Sequence, residues 1–99
     1  MALDLYLLNR YDEVYQCFSL QKLIRGLNNK ETLQTYYLLA CIRFSLNYYQ
    51  ESYDDLLECL KLRQKLFGDK HPDVITTKEF LLTLFLKLEE WKQFFLLER

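Results

Sequence analysis

The sequence predicts an all-α chain in which antiparallel helical hairpins stack side by side, and three observations carry that prediction. Apolar residues recur at helical rather than alternating spacing between short polar breaks. Leu, Glu, Lys and Gln fill those runs, and the single proline interrupts none of them. One pattern also recurs three times: leucine, two residues, an aromatic, two residues, then a packing position.

Taken in order, the breaks at Asn9-Arg10, Gly26 to Lys30, Asn47-Tyr48, Gly68 to His71 and Leu88 to Glu90 predict six helices, near 2–8, 11–25, 31–46, 50–67, 72–87 and 90–99. Gly26 and Gly68 each follow a helical run, where a residue in the left-handed region closes the last turn, and Leu27 offers the apolar contact that accompanies such a cap. Asn29 is placed to cap the third helix, with Glu31 in its first turn. In the fourth helix Glu51, Asp54, Asp55 and Glu58 precede Lys61, Arg63 and Lys65, a gradient that opposes the helix dipole. Pro72 suits a first helical position, because its missing N–H would have had no partner there, and Asp73 follows favourably.

The recurring pattern is LNRYDEV (Leu8 to Val14), LNYYQES (Leu46 to Ser52) and LEEWKQF (Leu88 to Phe94). Its aromatics Tyr11, Tyr49 and Trp91 are spaced by 38 and then 42 residues, one helical hairpin per repeat. Asn9 and Asn47 occupy the expected inter-helix turn, where Asn tolerates a left-handed backbone; Glu89 breaks that rule in the third unit. The 99 residues thus predict one domain, with hairpins at about 1–26, 31–67 and 72–99.

Composition removes several function classes. Thirteen basic and fourteen acidic residues, interspersed, leave no stripe for nucleic acid or an anionic membrane. No apolar run approaches the roughly 20 residues that span a bilayer, so membrane insertion is not expected. Cys17, Cys41 and Cys59 are scattered and odd in number, which points to a reducing, cytoplasmic compartment. Two glycines in all cannot build a phosphate-cradling loop. His71 has no second histidine or nearby cysteine to make a metal site or catalytic pair, and it reads as part of a helix start. Asp54-Asp55 and Glu89-Glu90 are adjacent on their helices and diverge instead of converging on a substrate. No catalytic residue, metal or cofactor is expected.

The segment LRQKLFGDKHPDV, Leu62 to Val74, resembles the inter-repeat segment of tetratricopeptide repeats, specifically the long-repeat kind of kinesin light chains. The register continues through Leu81, Phe85 and Trp91, and Ala40 and Ala2 fall at the small-residue position of the first helix of a repeat, helix A. The resemblance spans essentially the whole chain as roughly two and a half repeats.

It implies a non-enzymatic scaffold or adaptor that binds a protein or peptide on the helix A face, through exposed apolar ends, or both. The asparagines with which such relatives hold a peptide backbone are absent: Tyr37-Leu38 and Glu79-Phe80 stand at those positions. A Lys and Asn set for a terminal carboxylate is also missing. By repeat register the binding face is Gln34, Tyr37, Cys41, Phe44 and Ser45, then Thr76, Glu79, Thr83 and Lys87. Packing of Tyr37 and Phe44 between neighbouring helices is an equal alternative. The run Phe94 to Leu97 cannot all be buried on one helix face, which adds Phe95 and Leu96 as partner contacts. The first hairpin is also short, with about two turns before Asn9. These ends imply a neighbour: a second copy, or permanent residence as a structural subunit of a large assembly.

Overall fold

The computed structural model describes the backbone of residues 2–97 and the side chains of residues 9–90, 92 and 93. Four helices account for it: α1 (Ala2–Arg25), α2 (Lys30–Ser45), α3 (Tyr49–Phe67) and α4 (Pro72–Leu97). Each packs on the next in chain order, so α3 lies against both α2 and α4. Connections this short make neighbours antiparallel, and the thinnest extent, 18 Å, is that of two helix layers. The chain is all-α and solenoid-like, as its periodicity predicts.

The helix ends follow local chemistry. Asn29 sits in extended backbone and its Oδ1 accepts from the amides of Glu31 (3.0 Å) and Thr32 (3.2 Å). After α2 the amide of Tyr48 donates to the Arg43 carbonyl (2.8 Å) and that of Asn47 to the Phe44 carbonyl (3.0 Å), with Asn47 left-handed at φ 67°. That is a Schellman turn, and it closes the α2–α3 hairpin. Gly26 and Gly68 end α1 and α3 at positive φ, and Pro72 opens α4.

Two of the predicted breaks are absent. α1 runs unbroken through Asn9-Arg10, and α4 runs unbroken through Leu88 to Glu90, so six predicted helices become four. The packing explains why. Tyr11, Val14 and Phe18 of α1 lie against Leu39 and Ile42 of α2. Tyr53, Leu56 and Leu60 of α3 lie against Leu81 and Leu84 of α4. Every equivalent pair is 42 residues apart, so Tyr11 corresponds to Tyr53 and not to Tyr49. The alignment on LNRYDEV was one helical turn out of register. On the 42-residue spacing, Asn47 corresponds to Leu5 and Glu89, neither of which adopts left-handed backbone readily. Asn9 permits a turn but has no turn position to fill, and an interior asparagine costs a helix only about 0.7 kcal/mol.

The inter-helix core contains polar members. The Ser52 hydroxyl, fully buried, donates to the Ala40 carbonyl at 2.7 Å, and the small Ala40 side chain lets α2 and α3 approach this closely. Between α1, α2 and α3, the Arg43 guanidinium pairs with Asp55 and donates to the Tyr11 hydroxyl from Nη2 at 2.9 Å. Burial raises the Asp55 carboxyl above its ordinary value, and Arg43 opposes that rise.

Candidate partner-binding groove

α2 and α4 both pack on α3 and meet each other through side chains, with a groove between them. Its floor is aromatic. Phe80 of α4 stands edge-on to Tyr37 (5.8 Å between centroids) and to Phe44 (5.4 Å) of α2, and Phe44 meets Tyr49 of α3 (5.3 Å). Tyr37, Phe44 and Phe80 are each only part-buried, packed on the core by one side of the ring. Tyr37 and Phe44 therefore pack between helices while part of each ring remains accessible.

The rim is polar. Gln34, Thr76, Glu79, Thr83 and Lys87 are exposed. The Thr83 hydroxyl donates to the Glu79 carbonyl within its own helix, and Lys87 pairs with Glu90 at 3.9 Å. Ser45, also exposed, donates to the Cys41 carbonyl at 3.2 Å. Cys41 is half-buried beside Tyr37, and burial raises both its thiol and the Tyr37 hydroxyl above their ordinary values. Phe95 and Leu96 lie outside the described side chains.

Near the N-terminal ends of α2 and α4 the groove deepens into a cavity of about 490 Å³, where Gln34 and Tyr37 face Thr76, Lys30 and His71. Arg63 of α3 forms part of its wall although it is only 5% exposed. The guanidinium lies 4.8 Å from the centroid of the Tyr37 ring. Nη1 donates to the Thr77 hydroxyl (2.8 Å) and the Asp73 carbonyl (3.3 Å), while the buried Nε has no partner. Among the described residues Arg63 enters no ion pair.

Register reasoning missed Arg63, Lys30 and His71 as parts of this site because it considered only the predicted face of helix A, and it took Phe80 only as a position lacking asparagine. For Arg63 a signal existed: Ser52, Leu56, Cys59 and Arg63 follow at intervals of four, three and four residues, so the charge sits on the buried stripe of its helix. His71 is a helix-start residue: its Nδ1 accepts from the Asp73 amide (3.1 Å) and its ring stacks on Phe67 (4.2 Å). Among the described residues no three His, Cys, Asp or Glu side chains are arranged to hold a metal, and no helix is long and apolar enough to cross a membrane.

The family model described as tetratricopeptide repeat matches residues 32–73, from the first turn of α2 to the start of α4. The match is to the repeat and does not reach the kinesin-light-chain kind. No curated protein matches the chain.

Proposed function

We propose that this chain, which carries a tetratricopeptide repeat over residues 32–73, is a non-enzymatic scaffold or adaptor that binds a protein segment in the groove between α2 and α4. Such repeats mediate protein–protein interaction. The observation that carries the reading to this face is the half-accessible aromatic floor of Tyr37, Phe44 and Phe80 between exposed polar rims, the composition of an interface core with its rim. An apolar or helical segment suits that floor better than a charged tail. The scattered, unpaired thiols fit a reducing, cytoplasmic setting.

The test is Tyr37→Ala with Phe44→Ala, read by capture of partners from a native extract and by circular dichroism. Loss of capture with helicity retained is expected. Unfolding of the double variant would assign both rings to the core and remove the groove reading.

A second reading, a structural subunit held permanently in an assembly, is favoured by Leu20, Leu23 and Ile24 on α1, all strongly exposed. Co-purification at fixed stoichiometry would support it; a substoichiometric companion would support the adaptor.

A further inference from the structure

The 42-residue spacing also relates α2 to α4, and it identifies what the exposed face of α4 is built to hold. α2 holds α3 through five positions: the Leu33 carbonyl accepts from Cys59, Tyr36 packs with Cys59, the Ala40 carbonyl accepts from Ser52, Arg43 pairs with Asp55, and Phe44 meets Tyr49. Forty-two residues on, these are Ile75, Lys78, Leu82, Phe85 and Leu86. The four apolar members are 45%, 62%, 48% and 55% exposed, and among the described residues they are the exposed large apolar side chains of α4. The α2–α3 interface thus continues, one repeat further, as an apolar stripe with no helix on it among the described residues.

The same register names the helix that belongs there. Trp91 corresponds to Tyr49, which opens α3, so residues 91–97 are the first turns of the next second-helix segment of a repeat. In the α2–α3 hairpin, left-handed Asn47 turns that segment back onto α2. At the equivalent Glu89 no turn forms, and α4 continues as one helix to Leu97. A continuous helix carries residues 91–97 along its own axis and away from its own stripe.

We propose that two copies of this chain exchange these segments: residues 91–97 of each copy lie antiparallel along Leu82, Phe85 and Leu86 of the other. One two-fold axis then covers the same part of both stripes, at positions equivalent to those where Tyr49, Ser52 and Asp55 meet α2, which is the logic of a domain swap. The straightened turn is the hinge.

Sedimentation equilibrium is the first measurement, with a dimer expected. Phe85→Glu with Leu86→Glu lies on exposed positions, and should weaken the dimer about thirtyfold or more while helicity is unchanged. Glu89→Gly supplies the missing left-handed residue and should shift the protein toward a monomer with a closed hairpin. Leu86→Cys with Trp91→Cys, in a Cys17→Ser background oxidised with copper phenanthroline, places thiols where Phe44 and Tyr49 meet one repeat earlier, and should give a covalent dimer. A disulfide within one chain, a monomeric mass for the unaltered protein, or a dimer indifferent to the two glutamates would each overturn the proposal.

Discussion

Replacing Arg63 by methionine is expected to leave the stability of the fold nearly unchanged, although the residue is among the most buried charges in the chain. On the debit side, charge-assisted bonds to the Thr77 hydroxyl at 2.8 Å and, longer, to the Asp73 carbonyl at 3.3 Å are lost, together worth about 3 kcal/mol. The cation–π contact with Tyr37 adds about 2 kcal/mol where it is desolvated. Against these stands the desolvation of a guanidinium with no carboxylate partner, several kcal/mol per buried ion, which methionine removes while keeping the side chain's volume. No group is stranded by the change, because the Thr77 hydroxyl still donates to the Asp73 carbonyl at 2.7 Å. The balance lies within about 1 kcal/mol, a shift in Tm of less than about 8 °C. Arg63→Ala keeps the same electrostatic relief but opens a cavity, and should cost about 2–4 kcal/mol more than the methionine variant. Urea denaturation followed by circular dichroism measures both. A loss above about 3 kcal/mol for Arg63→Met would refute the reasoning, because it would mean that the guanidinium's contacts outweigh its desolvation.

Asn29→Ala removes the acceptor of two α2 amides, and should cost about 1 kcal/mol in urea denaturation. At Asn47, glycine should be neutral or slightly stabilising, whereas valine should cost about 1–2 kcal/mol or more in thermal melts, because φ is 67° there. Burial pushes the Cys59 thiol up to about 11 from its ordinary 9.0. Its folded form therefore holds the proton more tightly than its unfolded form does. The stability it contributes is complete below about pH 9 and declines by up to about 1.4 kcal/mol per pH unit until pH passes about 11. Cys59→Ala should reduce that decline in urea midpoints compared at neutral and alkaline pH, leaving the part due to Cys41, Tyr36 and Tyr37, whose groups burial also raises.

Helix identity, the caps at Asn29 and Pro72, and the turn at Asn47 were legible because each depends on a few neighbouring residues. The two outer breaks were misread for a physical reason. A leucine, two polar residues and an aromatic are compatible with a turn, but the turn also needs a residue that accepts left-handed backbone at the position Asn47 fills, where Leu5 and Glu89 stand instead. The register error has the same origin: a shift of four residues returns a helix to the same face, so Tyr11 aligns almost as well with Tyr49 as with Tyr53, and only the packing against Leu39 or Leu81 decides. In the groove, Tyr37 and Phe44 were legible from register. Phe80 was read only as a missing asparagine, and Arg63 was passed over because it belongs to the backing helix.

That last residue has a bearing on how variants of the protein should be read. Arg63 reaches from α3 under the Tyr37 ring and into the cavity wall, so part of the groove's floor is encoded on a helix behind it. If the groove is the binding face, as proposed, a change in the rear layer would alter the cation beneath one of its rings with no residue of the rim disturbed. Surveys that sort substitutions into binding face and scaffold would file Arg63 with the scaffold, although its guanidinium lies against a ring of the proposed binding face.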